Sequence, residues 1–229
     1  MAVNLTVLDS AAVSGAGPWV TNVVAASGEI VLPLAITEFG GGTAPASLAA
    51  SGCGLSWSAV NNVDNATSLT SAWTLKGVGT PTSGTITITP TGGSSLKEAN
   101  YGVIDSVGHD TSGMVVQSVV GTAASANPQT LALTLAALGD AANNVAFMAT
   151  AGGSTAAPGA GYTELSDLMS NVSLHTQWKL PGTTTPSCTG DSAFFGQAGI
   201  AIEIKAAAGV PQAGTLGDYD SDLRVVGWF

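Results

Sequence analysis

The chain has 229 residues, only 9% of them charged, and its 15 acidic and five basic residues give a formal net charge of −10. Five dispersed basic residues cannot form the clustered positive surface that a phosphate backbone requires, so we expect no nucleic-acid partner and no membrane-surface partner. No apolar run of about 20 residues is present, which argues against a transmembrane helix. The first residues lack the basic and apolar regions of a signal peptide, so none is expected.

Short segments that alternate apolar and polar residues run through the chain, separated by Gly, Pro, Asn and Ser clusters, and this pattern predicts β-strands. The predicted strands are 3–8, 19–26, 29–36, 55–60, 70–76, 84–89, 100–106, 114–120, 129–135, 144–150, 172–179 and 198–205. Helical periodicity is not sustained anywhere, and no repeat is evident. Many short strands in this arrangement are typical of an antiparallel sandwich or barrel.

Alternation also predicts which side chains of three strands face the core, on the assumption that each sheet has one wet face. The side chains predicted to point inward are Ile86, Ile88, Val172, Leu174, Thr176, Trp178, Ile200, Ile202 and Ile204. The side chains predicted to point outward are Thr85, Thr87, Thr89, His175, Gln177, Lys179, Glu203 and Lys205.

The composition changes after Lys205, and we predict a folded domain over 1–207 followed by a linker and docking tail over 208–229. The tail combines acidic residues with an apolar end, and its candidate docking residues are Asp218, Asp220, Asp222, Val225, Val226, Trp228 and Phe229. An extended apolar segment can add a strand to a partner's sheet or fill a groove, with aromatic anchors, while the acids meet a basic patch. The alternative is a last strand that folds back on its own domain.

Six segments in order carry a resemblance: 52–63, 71–89, 100–110, 161–167, 172–179 and 198–207. The series resembles the jelly-roll, concanavalin A-like domains that tailed bacteriophages and many bacteria encode, over roughly residues 1–207. The resemblance implies an all-β, two-sheet antiparallel jelly-roll sandwich with an extended C-terminal tail. It also implies a virion structural protein, such as a capsid decoration protein or a tail or fibre component.

Catalytic motifs are missing from the sequence, which has no G-x-S-x-G elbow. His109 and Asp110 are interpreted as parts of a solvated turn. Glycosidases need two fixed carboxyl groups about 5–10 Å apart; Glu203 is alone on its strand, and the pair in 164–167 lies in a predicted loop. We therefore expect no enzyme, no catalytic residue and no cofactor.

Metal-binding patterns are equally weak. Cys53 and Cys188 are too far apart for a C-x-x-C site, so we expect two buried free thiols, with a disulfide between them as the alternative. The segment 218–222 alternates carboxylates like a Ca²⁺ loop but lacks the Gly and Glu that an EF-hand needs at its sixth and twelfth positions. A solvated acidic tail is favoured over a looser Ca²⁺ site.

Two functions remain. The first is a non-enzymatic decoration or cement protein on the outer surface of a phage capsid, with copies of itself and the major capsid protein as partners. Few lysines are available to guard sheet edges, so a neighbouring subunit is expected to cover at least one edge. The alternative is a glycan-binding adhesion module or tail or fibre component on the same fold, with Asn61, Asn62 and Asp64 in one loop and Tyr162 in another.

Overall fold

The computed structural model describes residues 2–190 and 195–208, without the side chains of 39–41. Within these ranges every regular element is a β-strand, so the all-β prediction is confirmed, and no helix is long and apolar enough to span a membrane. The strands of the first half are β1 (Asn4–Ser14), β2 (Trp19–Val20), β3 (Glu29–Thr43), β4 (Ser47–Gly52), β5 (Ser56–Asn65), β6 (Thr70–Val78), β7 (Ile86–Thr91) and β8 (Ser94–Val107). The strands of the second half are β9 (Val115–Ala123), β10 (Gln129–Ala132), β11 (Val145–Gly152), β12 (Ala156–Pro158), β13 (Thr163–Met169), β14 (Ser173–Lys179), β15 (Ser187–Gly190) and β16 (Gln197–Ile204).

Four antiparallel sheets form, two from each half of the chain. The first half builds a large sheet of order β1-β8-β3-β6-β5 and a small sheet of order β2-β7-β4. The second half builds a large sheet of order β9-β16-β11-β14-β13 and a small sheet of order β10-β15-β12. When eight is added to each strand number, the strand order of both sheets in the first half becomes the strand order of the sheets in the second half. The topology therefore repeats, and the expectation from sequence that the chain has no repeat is wrong in this respect.

The two halves also share an irregularity of register. One extra residue stands between Ala59 and Asn61 on β5, and one stands between Glu164 and Ser166 on β13, the strand that corresponds to β5. A β-bulge of this kind shifts the side chains beyond it to the other face of the strand. Pairing pattern, rather than residue identity, is what repeats, which explains why the repeat is invisible in the sequence.

The core has three parts, because each large sheet is covered on both faces. The two large sheets pack on each other through a shared apolar cluster that includes Val31 and Ile104 from the first half and Phe147 and Ile202 from the second. Each large sheet also packs on its own small sheet. Alternate residues of β3 accordingly join different clusters: Val31 faces the other half, while Leu32 faces the small sheet.

Double coverage overturns part of the predicted surface. His175, Gln177 and Glu203 were expected in water, yet each is 0% exposed, because the outer face of each large sheet lies under a small sheet or its connecting loops. The predicted inward isoleucines are buried, and Thr85, Thr89 and Lys205 are exposed as expected. A strand buried on both faces loses the alternation of a half-wet sheet.

Several predicted loops and strands also differ. The carboxylate segment 164–167 lies on β13 rather than in a loop, and Asn61, Asn62 and Asp64 lie on β5. Of the predicted strand 19–26, only the first two residues pair as a strand. Strands β4, β12, β13 and β15 were not predicted. The described residues form four sheets where two were expected, and the jelly-roll connectivity and the domain boundary at residue 207 stay predictions.

Both cysteines are free and buried, as expected, and the disulfide alternative is not what the structure has. Cys53 belongs to the apolar cluster of the first half, and Cys188 to the cluster beneath the small sheet of the second half. Burial raises the pKa of the Cys188 thiol to about 11, so this thiol stays protonated at neutral pH.

Candidate functional site

The predicted docking residues lie outside the described part of the chain. Asp218, Asp220, Asp222, Val225, Val226, Trp228 and Phe229 all follow Ala208, where the description ends. Their assignment as a docking tail stays a prediction. Ala208 itself lines a cavity of about 510 Å³ together with Val116, Asp140, Asn144 and Lys205.

Edge strands are where the described structure offers unpaired backbone groups. The outer strands of the two large sheets are β1, β5, β9 and β13, and none of the four contains a lysine or arginine. The four lysines lie instead on the inner strands β6, β8 and β14 and immediately after β16. These edges lack the lysines that soluble sheets often use against pairing with another chain, although each of the four strands carries one extra residue that interrupts its pairing.

Among the four edge strands, β9 is the one without any charged residue. Val116 is 50% exposed and Val120 is 37% exposed on this strand, while Val115 and Val119 pack on the core. Part of the strand is tied to its own chain, because the Gln117 side chain donates to the Ala136 carbonyl and accepts from its N–H. Val116 is the extra residue of a bulge between Val115 and Gln117, so Val115 and Val119 pack on different clusters, and the exposed side chains of Val116 and Val120 are apolar and uncharged.

A buried imidazole–carboxylate contact lies elsewhere, in the connection between the halves. His109 was expected in a solvated turn, but it is 5% exposed, and its Nε2 lies 3.0 Å from Oε2 of Glu29. The pair borders a cavity of about 270 Å³. Within the described residues no hydroxyl or thiol hydrogen-bonds to His109. Asp110 instead forms an ion pair with Lys205, at 2.6 Å.

The residues proposed for a glycan site do not come together. Asn61, Asn62 and Asp64 lie on β5, whereas Tyr162 immediately precedes β13. These strands are at opposite edges of the packed large sheets, since β5 contacts β9 and β13 contacts β1. The Tyr162 hydroxyl is engaged with Thr183 at 2.7 Å.

A cluster of potential ligands that the sequence did not predict lies on β13 and β14. The carboxylates of Glu164 and Asp167 and the imidazole of His175 each offer a ligand atom, and these atoms lie within 4.8 Å of one another. Asp167 pairs directly with His175 across the two strands. Residues three apart on a regular strand point to opposite faces. The bulge at Leu165 therefore brings Glu164 to the face of Asp167, and no sequence pattern signals that bulge.

Burial changes the protonation of this cluster. It lowers the pKa of His175 to about 4, so the imidazole is neutral at pH 7. The pKa of Asp167 is raised, first by burial and then by the nearby Glu164 carboxylate, although a hydrogen bond from the Ala156 backbone acts in the opposite direction. The cluster thus combines a neutral nitrogen ligand with two carboxyl groups that repel each other.

A second carboxyl pair links β3 and β5 in the first half. Glu38 is 5% exposed, and burial followed by the charge of Asp64 raises its pKa to about 7. Burial also raises the pKa of Asp64. Since Glu38 titrates near neutral pH, we expect it to make the free energy of unfolding depend on pH.

Comparison of the chain with family models, with curated proteins and with solved structures finds no match in any of the three. The resemblance to phage jelly-roll domains therefore stays a prediction.

Proposed function

We propose that the protein is a non-enzymatic structural protein of a phage virion, serving as a decoration or cement protein on the outer surface of the capsid. The observation that carries the proposal is the uncharged edge strand β9, with its exposed Val116 and Val120. Copies of the chain and another virion protein, the major capsid protein, are the partners it would meet. The resemblance described above supports the choice of a virion over other assemblies.

An open edge favours assembly for a simple reason. The outer side of a strand presents N–H and C=O groups that a second strand can pair with, and exposed valines add apolar area to such a contact. A second copy of this chain presents the same nine-residue strand. Two copies related by a twofold axis would then pair β9 with β9 in antiparallel fashion, and each would cover the edge of the other.

The distribution of charge also supports dense packing of copies. Five acidic residues of the described chain are buried: Glu29, Glu38, Glu98, Asp105 and Glu203. The described surface is therefore less acidic than the net charge of the chain suggests. Repulsion between neighbouring copies is correspondingly smaller, and at physiological salt exposed charges further apart than about 8 Å are screened.

Quantitative mass spectrometry of purified virions tests the proposal. Hundreds of copies per particle, counted against the major capsid protein, are expected for a decoration protein. A handful of copies would contradict the decoration role and indicate a fibre or adhesin, for which a glycan array is the next step. Absence from the particles would contradict the virion assignment altogether.

A further inference from the structure

The cluster on β13 and β14 contains buried polar atoms without partners. His175 is 0% exposed, and neither of its ring nitrogens makes a hydrogen bond of normal geometry in the described part of the chain, although the Gln177 side chain lies near enough to act on its pKa. Oδ1 of Asp167 likewise makes no hydrogen bond of normal geometry there. A buried polar atom that lacks a partner costs about 1–3 kcal/mol. A single ion could bind one ring nitrogen of His175 and Oδ1 of Asp167, and would so supply a partner for two of these three atoms.

An ion pair within the cluster does not resolve this cost. Nδ1 of His175 lies 3.8 Å from Oε2 of Glu164, which is too long for a hydrogen bond. No hydrogen bond therefore joins the imidazole to the Glu164 carboxylate. A cation between them would convert all three groups into ligands and remove the repulsion between the two carboxylates.

We propose that Glu164, Asp167 and His175 form a binding site for a divalent transition-metal cation of the Zn²⁺ or Mn²⁺ class. One imidazole with two carboxylates suits these ions, whereas Ca²⁺ and Mg²⁺ prefer oxygen ligands throughout. The ligand atoms lie within 4.8 Å of one another, and a tetrahedral Zn²⁺ site needs about 3.4 Å between ligands. The Glu164 side chain is 44% exposed, so it is free to move inward.

The site has one buried side and one open side. His175 lies beneath the surface on β14, and Asp167 is half-buried beside the small sheet. Solvent reaches the cluster past Glu164, so water would complete the coordination of a bound ion. Since β13 is an edge strand, a metal held by residues of both strands would also fasten that edge to β14.

The first half provides an internal comparison. Trp73 pairs with Asn62 as His175 pairs with Asp167, and Ala59 precedes the bulge on β5 as Glu164 precedes the bulge on β13. Equivalent positions therefore carry the indole of Trp73 in the first half and the candidate ligand His175 in the second. The metal site is a property of these residues and not of the fold.

Titration calorimetry of the full chain after removal of metals with a chelator tests the proposal. We expect Zn²⁺ or Mn²⁺, added as the chloride salt, to bind at one site per chain, with an affinity that depends on the ligands of β13. Substitution of the exposed ligand, E164Q, should weaken that binding at least tenfold without affecting folding, while D64N, on the corresponding strand of the first half, should leave it unchanged. No binding by either salt, or equal affinity in E164Q, would overturn the proposal.

Nuclear magnetic resonance of the imidazole nitrogens supplies a second readout that a merely structural role would not change. The chain has two histidines, so His109 is the internal reference. Zn²⁺ should shift one ring nitrogen of His175 and leave both nitrogens of His109 in place. A shift confined to His109, or no shift at saturating Zn²⁺, would overturn the assignment of His175 as a ligand.

Discussion

Asp105 and Glu203 occupy equivalent positions in the two halves of the protein. Asp105 pairs with Ile30, the second residue of β3, and Glu203 pairs with Ala146, the second residue of β11. Asp105 accepts hydrogen bonds from the N–H groups of Ser27 and Gly28, and Glu203 accepts from the N–H of Gly139 and the side chain of Asn144. Each buried carboxylate thus fastens the loop that leads into the third strand of its half.

We expect Asp105→Ala and Glu203→Ala each to lower the free energy of unfolding by about 2–4 kcal/mol, since each leaves buried donors without an acceptor. Urea unfolding followed by fluorescence measures the change. Ser58→Ala, at an exposed position of β5, is the control and should change stability by less than about 0.5 kcal/mol. A loss no larger than that of the control would contradict the structural role of the two carboxylates.

Glu38 should make the protein less stable as pH rises toward neutrality. The pKa of Glu38 is about 7 in the folded chain, against 4.5 for an ordinary glutamate. At a pH between these two pKa values, the folded state holds a proton that the unfolded state has lost. The free energy of unfolding should therefore fall between pH 4.5 and pH 7, by on the order of 2–3 kcal/mol. Urea unfolding at several pH values measures this slope.

Two variants separate Glu38 from other titrating groups. Glu38→Gln should flatten the slope between pH 5 and pH 7, because the amide has no proton to lose. Asp64→Asn should reduce it partly, because removal of the neighbouring charge lowers the pKa of Glu38. An unchanged slope in Glu38→Gln would show that another group is responsible.

Deletion of 218–229 should abolish binding to capsids and leave the melting temperature unchanged, as expected for a docking tail. Co-sedimentation with capsids and thermal unfolding measure the two effects separately. A lower melting temperature would instead support the alternative, in which this segment folds back on its own domain as a last strand.

Sequence patterns predicted the strands whose alternation is simple. Ile86 and Ile88 are buried between exposed or half-exposed threonines, as expected. The same rule failed for His175 and Glu203, because it assumes one wet face, and the large sheets have none. Only the packing of one half on the other, together with the small sheets, determines that these polar residues are inside.

The candidate metal cluster could not be predicted for a different reason. Glu164 and Asp167 are three residues apart, and on a regular strand that spacing separates them onto opposite faces. The extra residue at Leu165 reverses this, and bulges depend on long-range pairing that leaves little trace in local sequence. The lack of lysine on the edge strands was easier to predict, because the low lysine content can be read directly from the composition.

The most direct test of an assembly role is sedimentation velocity of the full chain over a range of concentrations. Wild-type protein should self-associate, and the double variant Val116→Lys/Val120→Lys should weaken that association at least tenfold with an unchanged melting temperature. Val20→Lys/Val23→Lys, which places the same two charges on valines that are 51% and 69% exposed and off the β9 edge, is the matched control. A wild-type chain that stays monomeric at high concentration, or association that survives in the double variant, would contradict pairing through β9.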